Sequence, residues 1–147
     1  VSVETLQLDA LNLVAGAKIG SGLSRTVYEC RILPDCVVKC EDSEGYFQNV
    51  LEWQTWQRVK EWPAAARWFA PCRFISPDGK LLIMERTLEP RAKDYPTKMP
   101  VYLTDFKRTN YGMIGGKLVC HDYGVSLVME HGFYSKVMRR ADWWNCD

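Results

Sequence analysis

The chain has no apolar run approaching the roughly 20 residues that a membrane-spanning helix needs, so a bilayer segment is not expected. It also has no tract of Lys and Arg. Net charge is +1 with both signs dispersed, which removes the electrostatic footprint of sequence-independent nucleic-acid binding. There is no Cys-x-x-Cys pair, and the only two histidines, His121 and His131, do not complete a zinc set. Repeats and low-complexity tracts are missing as well. Residues 1–13 lack a cationic start or a cleavage pattern, so the expected setting is the cytoplasm, with neither membrane nor nucleic acid as partner. In that compartment Cys30, Cys36, Cys40, Cys72, Cys120 and Cys146 are expected to be reduced and mostly buried as small hydrophobes.

What the chain does have is ordinary globular chemistry. Its 147 residues, 47% of them hydrophobic, suit one domain with a real core or two small lobes sharing a cleft. Six tryptophans promise a large apolar payload, some of it suited to an interface.

Two β-rich runs, residues 13–19 and 25–33, flank Gly20-Ser21-Gly22 and read as a hairpin. Cys36-Val37-Val38-Lys39-Cys40 reads as a third strand. Ser43 is a helix N-cap with Glu44 just inside it, and Phe47, Val50, Leu51, Trp53, Trp56 and Val59 follow at helical spacing until Pro63. Residues 68–75 and 80–84 form another hairpin around Ser76-Pro77-Asp78-Gly79. Residues 85–100 carry Pro90, Pro96 and Pro100 and read as a linker. Beyond it, residues 101–103, 111–114 and 117–120 are short strands, the last two joined by Gly115-Gly116. Residues 132–144 read as a terminal helix.

Within this frame several polar residues stand where chemistry is done. Gly20 and Gly22 leave backbone N–H groups open to phosphate oxygens, although Gly-Ser-Gly is also an ordinary hairpin turn. Lys39 closes an apolar strand. It either snorkels to solvent or neutralises phosphate with a carboxylate holding it, Glu52 being the natural partner and Glu44 its rival. In Asp105-x-Lys107-x-x-Asn110 the aspartate can accept a hydroxyl proton, the lysine can offset phosphoryl charge and the asparagine can bind a metal. A polar turn is the simpler reading. Asp122 follows the strand Leu118-Val119-Cys120, where a carboxylate suits a hard magnesium ion. A hairpin through Gly115-Gly116 would return Asn110 and Asp122 to one edge.

The order of these segments resembles the protein-kinase-like superfamily between residues 13 and 124. Gly20-x-Gly22-x-x-x-x-Val27 is similar to its phosphate loop, and Cys36-Val37-Val38-Lys39 to the strand carrying the phosphate lysine. Leu82-Ile83-Met84-Glu85 resembles the strand entering the hinge, with Met84 as gatekeeper. Residues 105–110 resemble the catalytic loop, and Asp122-Tyr123-Gly124 the metal-binding Asp-Phe-Gly. Short size and the Asp-Tyr-Gly ending are also similar to very short kinase-like proteins of tailed bacteriophages.

The resemblance implies an α+β fold: a protein-kinase-like N-lobe (antiparallel sheet plus one helix, residues 1–85), a hinge over 86–100 and a strongly reduced C-lobe over 101–147. It implies Mg-ATP as ligand. Gly20, Ser21, Gly22, Val27, Lys39, Met84 and Glu85 would bind the nucleotide, and Asn110 and Asp122 the Mg2+. Asp105, Lys107, Lys39 and Glu52 would be the catalytic set, the γ-phosphoryl group passing to a protein Ser/Thr hydroxyl. The chain departs from the family pattern in four places: Arg25 stands for the third loop glycine, Leu103-Thr104 replaces the His-Arg that anchors the catalytic loop, the stretch from Glu85 to Asp105 is too short for the long second-lobe helices, and no Ala-Pro-Glu follows Gly124. The missing second-lobe helices and the aromatic tail Trp143-Trp144 favour a rival reading, a pseudokinase that acts by docking on a host protein, with Trp143-Trp144 as an interface. A small-molecule kinase is a third reading. In each case a homo-oligomer would be one way to supply the missing second-lobe surface.

Overall fold

The computed structural model describes residues 2–126 and 128–145; Cys146 therefore lies outside the described residues. The fold is α+β and mostly antiparallel. It divides into two compact units, Val1–Asn49 with Cys72–Arg86, and Val50–Pro71 with Thr87–Asp147.

The first unit opens with α1 (Val3–Val14), capped where the Ser2 hydroxyl accepts from the Thr5 N–H at 3.1 Å. No helix was expected there, and the reason is the leucine spacing. Leu8 and Leu11 fall on one side of a helix and Leu13 on the other, so no single apolar stripe marks it. Accordingly Val3, Leu8 and Leu13 all remain exposed.

Five strands follow in the sheet: β1 (Ala15–Ser21), β2 (Arg25–Cys30), β3 (Cys36–Glu41), β4 (Cys72–Ile75) and β5 (Leu81–Glu85). Their order is β1-β2-β3-β5-β4, and every pairing is antiparallel. Alternation along β3 sorts the two faces. Cys36 and Val38 pack with Cys30 and Ile83, and Val14, Cys40 and Leu81 close around them. Burial of these thiols is chemically visible: it pushes Cys36 and Cys40 up to about 11, so both are protonated near neutral pH. The opposite face carries a row of cross-strand neighbours, Gly20, Val27, Lys39 and Leu82, because Gly20 pairs with Val27, Val27 with Lys39 and Lys39 with Leu82.

The helix α2 (Gln48–Val59) starts four residues later than its sequence pattern suggests. Gly45 at φ 90° and Phe47 at φ 54° hold left-handed backbone that a helix cannot continue through, so Ser43 and Glu44 lie in a turn instead of an N-cap. The first turn of α2 nevertheless ties the sheet together. Fully buried Asn49 donates from Nδ2 to the carbonyls of Lys39 (3.0 Å), Gly79 (3.0 Å) and Lys80 (3.1 Å), and its Oδ1 accepts from Arg25 Nη1 at 3.1 Å.

In the second unit, α2 runs on towards α3 (Pro63–Ala66), which has proline at its first position. The segment read as a linker is structured: a 3-10 turn at Ala92–Asp94 leads into β6 (Lys98–Pro100). Residues 101–103 form a turn, not a strand. The hairpin of β7 (Tyr111–Ile114) and β8 (Lys117–Cys120) turns at Gly115 (φ 57°) and Gly116 (φ 77°), the two positive values that a tight right-twisting hairpin needs. Residues 132–144 are not helical. A short α4 (Val128–His131) precedes an extended run whose β9 (Met138–Arg140) pairs antiparallel with β6.

The core of this unit is aromatic. Phe69 stacks on Tyr102 and meets Tyr123 edge-on at 5.0 Å. Trp143 stands among Tyr95, Phe106 and Tyr111 and donates its indole N–H to the Pro96 carbonyl at 2.7 Å. Trp143 is therefore a packing residue and not the exposed anchor that the Trp143-Trp144 pair suggested.

Candidate functional site

In the first unit, β1 and β2 present Gly20, Ser21 and Gly22 at the end of their hairpin, where the Gly22 N–H donates to the Arg25 carbonyl at 2.8 Å. A Cβ added to Gly20 or Gly22 would meet nothing within 4 Å among the described residues, and neither glycine sits at positive φ. The fold itself makes no demand for glycine here. What the two glycines provide is bare backbone at the tip. Arg25, which follows the tip at the start of β2, is buried and donates to Asn49 Oδ1 at 3.1 Å.

Lys39 is only 4% exposed, so it does not snorkel to solvent. It shares the face of Val27 and, two residues along β5 from its partner Leu82, of Met84, whose cross-strand neighbour is Val37. Met84 is fully buried, and Glu85 is partly buried and pairs with Arg73.

In the second unit, Asp105, Asn110 and Asp122 gather at one end of the β7–β8 hairpin. Tyr111 pairs with Cys120 as its last rung. Just beyond it the His121 N–H donates to the Asn110 carbonyl at 2.9 Å. The His121 ring adds a second tie, its Nε2–H donating to the Thr109 carbonyl at 2.7 Å while Nδ1 lies 2.7 Å from the Thr87 hydroxyl. A carbonyl can only accept, so Nε2 carries a proton. Sequence reasoning treated His121 only as half of a failed zinc set. Its role is to bind the Asn110 loop to the strand exit that carries Asp122.

Asp105 adopts φ 52°, a left-handed conformation that aspartate tolerates better than most residues. Asn110 Nδ2 donates to both the Asp105 carbonyl (3.2 Å) and its carboxylate Oδ2 (3.1 Å). With the amide nitrogen turned to Asp105, Oδ1 is the atom left for a hard cation. Asp105 and Asp122 are exposed, and Lys107 lies 5.7 Å from the centre of the Trp144 ring.

Glu52, on α2, is fully buried, and its Oε2 accepts from the N–H groups of Tyr123 (2.8 Å) and Gly124 (3.1 Å). It thus holds the two residues that follow Asp122. Glu44 is exposed in its turn.

Among the described residues, no group of three or more His, Cys, Asp or Glu side chains is placed to hold a metal. An amide oxygen and one carboxylate, Asn110 and Asp122, fit a different type of site. Magnesium commonly takes one or two protein oxygens and completes its shell with water and substrate phosphates. No helix among the described residues is long and apolar enough to cross a membrane. No family model matches the chain, and no curated protein matches it.

Proposed function

We propose that this chain is a minimal kinase-like protein that binds Mg-ATP and transfers the γ-phosphoryl group to a Ser/Thr hydroxyl of a protein. The observation carrying this reading is the convergence of Asp105, Asn110 and Asp122 at one end of the β7–β8 hairpin, linked through Asn110 Nδ2 and the His121 bonds. Further support comes from the sheet unit. Its hairpin tip carries two glycines that the fold does not require, and Lys39 and Val27 are neighbours on one face.

Phosphoryl transfer is chiefly positioning and charge neutralisation, and these residues divide that work. Asp105 accepts the proton of the attacking hydroxyl. Lys107 offsets charge on the phosphoryl oxygens, and Lys39 with the Gly20–Gly22 backbone holds the remaining phosphates. Asn110 Oδ1 and the Asp122 carboxylate would hold magnesium, which would supply neutralisation of phosphate charge.

The test is phosphate transfer from γ-labelled ATP to Ser/Thr peptides. Asp105→Asn is expected to lower the rate by at least about 100-fold, the low end for losing a positioned base, with secondary structure intact. A variant as active as the parent would end the assignment of Asp105.

One observation favours a docking protein instead. Trp62, Phe133 and Tyr134 form a contiguous aromatic group with centroids 4.3 to 6.1 Å apart, and Trp62 and Tyr134 are 47% and 63% exposed. That reading predicts that biological effect survives Asp105→Asn and is lost on replacing Tyr134.

A further inference from the structure

Four consecutive backbone carbonyls around Asp105 are each taken by a different donor. Arg139 Nη2 donates to Leu103 O at 2.6 Å, the Tyr111 hydroxyl to Thr104 O at 3.2 Å, Asn110 Nδ2 to Asp105 O at 3.2 Å, and the Trp144 N–H to Phe106 O at 3.0 Å. The Arg108 N–H returns a bond to Trp144 O at 2.9 Å, so Lys107 and Trp144 run side by side as a short parallel bridge. Two of these four donors come from the extended segment that replaces the expected terminal helix.

Arg139 is placed for this task at a cost. It sits on β9 opposite Met99, its guanidinium lies 5.0 Å over the Phe106 ring, and its buried Nε has no acceptor among the described residues. The Tyr111 hydroxyl is a durable donor, since burial pushes its ionisation well above the ordinary tyrosine range. Held on four successive carbonyls, the loop keeps Asp105 at its left-handed φ, a strained state that persists only where neighbours over-determine it.

We propose that Arg139 is a positioning residue for Asp105: through the Leu103 carbonyl, it and the Trp143–Trp144 segment supply the loop anchorage that Leu103-Thr104 does not carry in its own side chains. What Asp105 does with that position rests on the phosphoryl-transfer reading; how its loop is held does not.

The experiment is amide hydrogen exchange on the full chain, comparing the parent with Arg139→Met and Arg139→Gln. The N–H groups of Arg108, Asn110 and Trp144 are expected to exchange about tenfold faster or more in both variants, while Met113 and Cys120 in the β7–β8 hairpin keep parental rates. In the phosphotransfer assay kcat is expected to fall with KM for Mg-ATP nearly unchanged, because positioning acts on the reacting geometry and not on nucleotide binding. Parental exchange in the loop would overturn the proposal, as would acceleration spread evenly through the unit or failure of both variants to fold. Selective loop acceleration in a chain whose Asp105→Asn variant transfers phosphate normally would keep Arg139's role and discard the phosphoryl-transfer reading.

Discussion

Asn49→Ala is expected to destabilise the sheet unit by about 3–5 kcal/mol, a large part of the stability a small domain has. The side chain is fully buried, and its amide group joins four partners from separate parts of the chain. Alanine would strip the Lys39, Gly79 and Lys80 carbonyls of this donor and Arg25 of this acceptor, and it would leave a polar void. Each buried group left unmade costs roughly 1–3 kcal/mol, so the sum rests on desolvation more than on the bonds themselves. Urea unfolding measures it. Asn49→Asp is the informative companion: it keeps the acceptor for Arg25 but turns a carboxylate towards three carbonyls, and it is expected to be at least as destabilising. An alanine variant within about 1 kcal/mol of the parent would show that Asn49 is not the hub of this unit.

Glu52→Ala is expected to cost about 2–6 kcal/mol, roughly 1–3 kcal/mol for each of the two donors it serves. Glu52 is a buried carboxylate whose Oε2 accepts two successive backbone N–H groups, from Tyr123 and Gly124. Removing the acceptor strands both donors away from water. Glu52→Gln keeps the shape and one accepting oxygen and is expected to lose about half as much. Because the two N–H groups lie directly after Asp122, the alanine variant is also expected to weaken magnesium-dependent nucleotide binding more than the glutamine variant. Thermal unfolding and nucleotide titration of both variants would check this. Equal stability of parent and alanine variant would contradict it.

The parts of the fold legible in the sequence are those fixed by short-range rules. Gly115-Gly116 between two apolar runs specifies the β7–β8 hairpin, and Ser76-Pro77-Asp78-Gly79 specifies the turn between β4 and β5. Cys36-Val37-Val38 marks β3 by its β-branched, apolar character. The convergence of Asn110 with Asp122 followed from the hairpin between them. Other features depend on distant partners. β6 and β9 are three residues each and exist because they pair across some forty positions, so proline-rich residues 85–100 read as linker and residues 132–144 as helix. The anchoring roles of Arg139, Tyr111 and His121 have the same origin: each donates to a backbone carbonyl, and a carbonyl has no signature in sequence.

The proposed function requires Asp122 and Lys39 each to contribute to binding of magnesium nucleotide. Calorimetric titration of ATP into the purified chain, with and without magnesium, tests this most directly, with Asp122→Asn and Lys39→Ala in parallel. The account predicts magnesium-dependent binding by the parent chain and its loss in both variants. Absence of binding by the parent at millimolar nucleotide, or binding that neither substitution nor magnesium alters, would contradict it.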